Sequence, residues 1–273
     1  MSEGFHRPPK AYKNEAFLNS RDARPIRILA EYLEPVERFE DQRIEDTIVF
    51  QGSARIPSRE EAEAGLDAAR REGGDVARAE MWLRMSRYYE DARELARRLT
   101  EWSKGLKTSD GRRFVVCTGG GPGIMEAANR GAAEAKGLNV GLAISLPGVG
   151  EPANSYVTHQ LAFEFHYFFM RKFWFTYLAK AIVVLPGGFG TLDELFEVLT
   201  LIQTLKIKKR MPIVLFGGEF WRDVVDFDAL VRYGTISAED LDLFFTTDSV
   251  DDAYDFITRE LTEHALGVPG ATL

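Results

Sequence analysis

The densest chemical signal in the chain is Pro186-Gly187-Gly188-Phe189-Gly190-Thr191-Leu192-Asp193-Glu194. It follows the apolar run Ala181-Ile182-Val183-Val184-Leu185 and leads into a helical pattern from Leu192 to Leu205. Gly187, Gly188 and Gly190 let the backbone approach a ligand closely, and Thr191 adds a hydroxyl at a helix start, where unpaired amides and the helix dipole favour an anion. The chemistry this implies is phosphate binding. Glu194 is open to two readings. Thr191-x-x-Glu194 ahead of an apolar run has the spacing of a capping box, in which both side chains satisfy helix-end amides; the same carboxylate beside a bound phosphate ester could act on it.

Two further turns carry similar groups. Thr118-Gly119-Gly120-Gly121-Pro122-Gly123-Ile124-Met125-Glu126 opens a helix that runs to about Lys136. No Gly-Lys-Ser/Thr follows, so it is not an NTPase phosphate loop, and the next strand ends without an acid to hold a ribose, so it fits a dinucleotide fingerprint poorly. A tight turn needed only for packing is the alternative reading. Gly52-Ser53-Ala54-Arg55 closes the first strand with a glycine, a hydroxyl and a cation, as a third contributor to the same rim or as an ordinary turn. Between these turns lies Glu164–Lys180, read as one helix that is aromatic on nearly all sides except for Arg171-Lys172. Charges in such a setting need anionic partners. Glu194, another carboxylate or a substrate phosphate would serve, and a pair snorkelling to the helix edge is the bland alternative.

The elements that must position these groups follow from the alternation of short apolar runs with helical stretches. Strands read at Thr47–Gln51, Arg113–Cys117, Asn139–Ile144, Ala181–Leu185 and Pro212–Phe216 are β-branched and apolar throughout, as strands covered on both faces are. The fold class is α/β, a Rossmann-like parallel sheet flanked by helices on both faces, with N- and C-terminal helical extensions. In such a sheet, ligands bind where strand ends meet helix starts. Residues 1–45 are read as an arm, loosely held to about residue 20, followed by a helix over Arg24–Arg43 kinked or broken at Pro35. Residues 46–266 form one α/β nucleotide-binding domain, and 267–273 a frayed tail. Glu80–Lys104 reads as one long amphipathic helix, preceded by a helix-helix turn at Gly73-Gly74.

Bulk properties narrow the function classes. A net charge of -8 argues against general attraction to nucleic acid or an anionic membrane, so a phosphate site must be built locally. The one cysteine, Cys117, sits in an apolar strand and reads as a buried residue rather than a nucleophile, consistent with a reducing compartment. The first twenty residues are polar and broken by Pro8-Pro9, unlike a secretory leader, and no long apolar run occurs; a cytoplasmic location is expected.

The two glycine motifs, Gly119 to Glu126 and Pro186 to Glu194, together with Arg171-Lys172, resemble the LOG (Lonely Guy) family, often labelled "possible lysine decarboxylase", over roughly Thr47 to Phe220. The resemblance implies a phosphoribohydrolase that cleaves a nucleoside 5′-monophosphate to free base and ribose 5-phosphate. It implies Arg171 and Glu194 as the catalytic pair, with Gly187, Gly188, Gly190 and Thr191 on the 5′-phosphate. Gly119, Gly120 and Gly121 would line the nucleotide pocket, with Gly52, Ser53 and Lys172 as further substrate contacts. No metal or cofactor is expected, and no lysine is placed for pyridoxal phosphate. The expected partners are a small-molecule nucleotide and a second copy of the chain, as homodimer or higher homo-oligomer, because the aromatic helix carries more apolar surface than one sheet face needs. Many short members have histidine where this chain has Phe169, and they lack its terminal helices, so a cytokinin preference does not follow. The competing function is a carrier or sensor that binds a nucleotide or phosphorylated cofactor without cleaving it.

Overall fold

The computed structural model describes residues 8–106, 111–145 and 153–268. Residues 1–7 of the expected arm and 269–273 of the expected tail lie outside them. In chain order the elements are α1 (Glu15–Leu18), α2 (Arg24–Asp41), β1 (Thr47–Gln51), α3 (Arg59–Glu72), α4 (Val76–Met85), α5 (Arg87–Gly105), β2 (Val115–Thr118), α6 (Ile124–Glu134) and β3 (Asn139–Ile144). They continue with β4 (Ala162–Phe165), α7 (Phe168–Tyr177), β5 (Ala179–Val184), α8 (Phe189–Gln203), β6 (Ile213–Phe216), α9 (Gly218–Val224), α10 (Phe227–Arg232), β7 (Phe245–Thr247) and α11 (Val250–His264).

The strands form one parallel sheet in the order β4-β3-β2-β1-β5-β6-β7, so β1 pairs with both β2 and β5 and the direction of winding reverses beside it. Alternation along β1 divides the core. Ile48 and Phe50 face a layer built from Tyr89, Leu95 and Leu99 of α5, Ile124 of α6 and Ile257 of α11. Val49 faces the opposite layer, with Phe39 of α2, Trp174 and Phe175 of α7 and Leu195 of α8. Burial on both faces is why the central strands read as unbroken apolar runs. The α/β, Rossmann-like expectation therefore holds, and no helix among the described residues is long and apolar enough to cross a membrane.

Several local expectations are corrected. Glu164 and Phe165 do not open a helix: they end the edge strand β4, and α7 starts only at Phe168. Their aromatic neighbours hid the change of period. The C-terminal extension, expected to be helical, supplies α9, α10 and α11 but is interrupted by β7, which forms the other edge of the sheet. Glu80–Lys104 is divided at Ser86, whose hydroxyl donates to the Leu83 carbonyl at 2.8 Å, a local bond that competes with helix continuation. The turn at Gly73 is as expected, with φ 71° in the left-handed region that glycine adopts without strain.

Pro35 neither breaks nor ends α2, which runs through it. A proline leaves the carbonyl four residues earlier without its helical partner. That carbonyl belongs to Glu31, and the indole N–H of Trp174 donates to it at 3.1 Å. The side chain of Glu31 accepts the backbone amides of His166 and Tyr167 at 2.8 and 3.2 Å, at the start of α7. Arg38 donates to the carbonyls of Gln160 and Ala162 at 3.0 and 2.8 Å. Thus α2 holds the β4 edge and the head of α7, the helix that carries Arg171.

Candidate active site

The turns after β1, β2 and β5 meet at the carboxyl edge of adjacent central strands. Ser53 joins them: its amide donates to the Pro186 carbonyl at 3.0 Å, and its carbonyl accepts the Ile124 amide at 3.1 Å. There is no room for side chains at this junction. A Cβ on Gly52 would lie 2.6 Å from the Ile124 side chain, and one on Gly123 would lie 2.4 Å from the Ser53 carbonyl oxygen. The glycines noted in the sequence are therefore spent partly on packing three turns together, as well as on leaving backbone open.

In the second turn Gly120 has φ 70°, and its amide donates to the Thr118 hydroxyl at 2.8 Å. The Asn154 side chain donates to the carbonyls of Gly120 and Gly121 at 3.1 and 3.0 Å and to Asn129 Oδ1 at 3.0 Å. These two asparagines shape the turn, and sequence reasoning missed both, since a single asparagine, whether in a loop like Asn154 or inside a helix like Asn129, has no diagnostic spacing. It also missed Met125, whose sulfur would be 2.7 Å from a Cβ on Gly119.

In the third turn the helix starts earlier than its apolar pattern suggested. Its first residue is Phe189, and Gly188, with extended backbone, occupies the capping position without a side-chain bond. Thr191 is thus inside the first turn, and the capping-box reading of Thr191 and Glu194 is overturned. The glycines that mark the turn are poor helix formers and concealed the start. The amides of Phe189, Gly190 and Thr191 belong to the first turn, which has no intrahelical acceptors. A Cβ on Gly188 or Gly190 would meet open space, whereas one on Gly187 would lie 2.1 Å from Thr191 Oγ1. The Thr191 hydroxyl is therefore lodged against Gly187, within the cradle.

Arg171 and Lys172, adjacent on α7, have different surroundings. The Nε of Arg171 donates to the Leu142 carbonyl of β3 at 2.8 Å, and its guanidinium carbon lies 5.0 Å from the Phe175 ring centroid. A Cβ on Gly119 would stand 2.6 Å from Arg171 Nη2, so the second turn and the guanidinium share one wall. Burial lowers the pKa of Arg171, opposed by the charge of Glu194. Lys172 Nζ lies 2.8 Å from Asp193, 2.6 Å from Glu197 and 3.7 Å from Glu194. Burial pulls Lys172 down, but its bonds to Asp193 and Glu197 more than offset this and leave it raised.

Glu194 is buried on the inward side of α8. Burial raises its pKa above the ordinary 4.5, while Lys172 and then Arg171 oppose the shift. The arrangement is a desolvated carboxylate facing a desolvated guanidinium, beside a helix start with open amides. It can hold an anionic ester and present a base to it. Cys117 takes no part: it is fully buried behind Arg171, and burial pushes its thiol well above the usual range. No cluster of three or more His, Cys, Asp or Glu side chains suited to a metal ion occurs among the described residues.

Residues 125–257 match the model of a family described as "possible lysine decarboxylase". The match spans a little under half of the chain, so the similarity to that family is carried by this segment. The family segment carries Arg171, Lys172, Gly187, Gly188, Gly190, Thr191 and Glu194, and so agrees with the resemblance seen in the motifs. Gly52, Ser53 and Gly119 to Gly121 lie ahead of it and join the site through the turn contacts alone. No curated protein matches the chain. Among solved structures, one titled as the X-ray structure of TM1055, a structural genomics target, is 20% identical, covers 78% of this chain and 99% of its own, and superposes with a TM-score of 0.48.

Proposed function

We propose that the chain hydrolyses the N-glycosidic bond of a nucleoside 5′-monophosphate, with AMP as the first substrate to try, releasing free base and ribose 5-phosphate. The observation that carries this reading is the juxtaposition of buried Glu194 and buried Arg171 beside the open start of α8. The 5′-phosphate sits on the amides of Gly188 to Thr191 and on the Thr191 hydroxyl. Gly119 to Gly121 line the nucleoside side, and Gly52 and Ser53 close the rim. Cleavage passes through an oxocarbenium-like state, whose positive charge at the sugar Glu194 stabilises. Glu194 also takes a proton from the attacking water as the oxygen bonds to C1′. The C1′–N bond breaks with its electron pair going to the base, which then receives that proton. Arg171 orients substrate oxygens and keeps Glu194 ionised.

The same reading includes a homodimer or larger homo-oligomer. It is supported by Phe168 and Phe169, 51% and 55% exposed on α7, and by a groove of about 560 Å³ between α7 and α8 lined by Phe169, Phe173, Tyr177, Leu201 and Ile207. A monomer by light scattering at micromolar concentration would contradict it.

The decisive experiment is product analysis with a panel of nucleoside 5′-monophosphates. Release of base and ribose 5-phosphate by wild type, lost in Glu194→Ala and Arg171→Ala that melt normally, is the expected result; a positioned base is worth about 10²–10⁴-fold. Thermal stabilisation by nucleotides with no product, equal in wild type and Glu194→Ala, would replace this reading with that of a carrier or sensor.

A further inference from the structure

Asp193, Glu194 and Glu197 put three carboxylates on neighbouring positions of α8, and a single ammonium, that of Lys172, lies within 4.0 Å of all three. Among the described residues no other ion pair is formed by any of them. Lys172 is anchored by its two shorter contacts, 2.6 Å to Glu197 and 2.8 Å to Asp193, and its distance to Glu194 is the longest of the three. A lysine so engaged has little left to offer a substrate phosphate. Its side chain is largely covered, and it lines the groove between α7 and α8.

We infer that Lys172 is a positioning residue for Glu194 rather than a substrate ligand: it binds Asp193 and Glu197 and so sets the electrostatics of the carboxylate between them. This rests on the hydrolytic role given to Glu194 above. The physical case is a balance of charges at one buried group. Glu194 faces Lys172 and Arg171 from α7, and Glu197 and Asp193 from its own helix. The two cations favour its ionised form, whereas the two acids and burial favour the protonated form. Arg171 is held by Leu142 and Lys172 by Asp193 and Glu197, so the cations are fixed independently of substrate.

The test reads the carboxylate directly. In full-length protein labelled with ¹³C-glutamate, the Glu194 signal is assigned by its loss in Glu194→Gln and followed through a pH titration. In Lys172→Met the midpoint is expected to rise by about one pH unit or more, the usual effect of losing an opposite charge at 4–6 Å. Lys172→Arg is expected to stay near wild type, and adding Glu197→Gln to Lys172→Met to bring the midpoint part of the way back. The acid limb of kcat should move with the midpoint while KM for AMP stays within a few-fold. An unmoved midpoint in Lys172→Met with a raised KM would overturn the inference in favour of direct substrate binding. Should Lys172→Met fail to fold, Lys172→Gln, which keeps a polar head toward Asp193 and Glu197, supplies the answer: the midpoint should rise as in Lys172→Met, and no change refutes the idea. Because the titration needs no turnover, a wild-type protein that shows these shifts but cleaves no nucleotide would sink the hydrolytic reading and leave this one standing.

Discussion

Replacing Gly119 by alanine tests the link between the second glycine turn and Arg171. The new Cβ would stand 2.6 Å from Arg171 Nη2 and 2.7 Å from Met125 Sδ, where ordinary contact begins at 3.4 Å. The guanidinium must therefore retreat by about 0.8 Å, or surrender its 2.8 Å bond to the Leu142 carbonyl. A displacement on the order of 1 Å of a positioning group costs about 10²-fold in rate, roughly 2.7 kcal/mol of transition-state stabilisation. The fold has no comparable reason to suffer. Gly119 is not among the glycines with positive φ, and both crowded atoms, Arg171 Nη2 and Met125 Sδ, belong to flexible side chains rather than to backbone. An alanine tolerated by the backbone even recovers about 0.4–1 kcal/mol through the unfolded chain. The expected result is a loss of about 10²-fold in kcat/KM for nucleotide hydrolysis, with a melting temperature within a few degrees of wild type. Gly119→Ala with wild-type kcat/KM would refute the shared wall. So would a loss of activity that merely tracks a loss of folded protein by circular dichroism.

Three further outcomes follow from particular contacts. Gly187→Ala drives a Cβ into the Thr191 hydroxyl, so binding of ribose 5-phosphate measured by calorimetry should weaken by about tenfold, the loss of one good hydrogen bond. Trp174→Phe leaves the Glu31 carbonyl opposite Pro35 without its donor and opens space in the core, and should lower unfolding free energy in urea by about 2–4 kcal/mol. Asp91 is raised from 3.8 to about 6, first by burial, with Asp248 and Glu90 adding to it against Arg87. The native state then binds this proton more tightly than the unfolded chain, so the stability it contributes is full below pH 3.8 and is lost as pH rises through about 6. Asp91→Asn should accordingly be more stable than wild type in urea titrations above pH 6, with the difference vanishing below pH 4.

The sheet was legible wherever its strands were covered on both sides. Thr47–Gln51 and Asn139–Ile144 coincide with β1 and β3 because double burial writes an unbroken apolar run into the chain. β2 and β6, with four residues each, were legible for the same reason, whereas the edge strands β4 and β7 carry no such run, so Glu164-Phe165 and the segment that holds β7 passed as helix. Glycine content located the turns, and left-handed backbone at Gly120 and Gly123 is one reason glycine stands there. The start of α8 was not legible, because capping was inferred from spacing while the helix begins among glycines, three residues earlier than its apolar period.

What the sequence by itself determined is the inventory at the third turn and its surroundings: glycines that leave amides open, a hydroxyl, a carboxylate, and an Arg-Lys pair on an aromatic helix. Which of these groups face one another was decided only by the tertiary structure. Packing α7 and α8 on the same face of the sheet buries Arg171 and Glu194 so that each shifts the other's ionisation, and it commits Lys172 to Asp193 and Glu197. Ionic partnership depends on distances of a few ångströms in a desolvated space, and residue spacing along the chain does not encode those distances when a strand and a turn intervene.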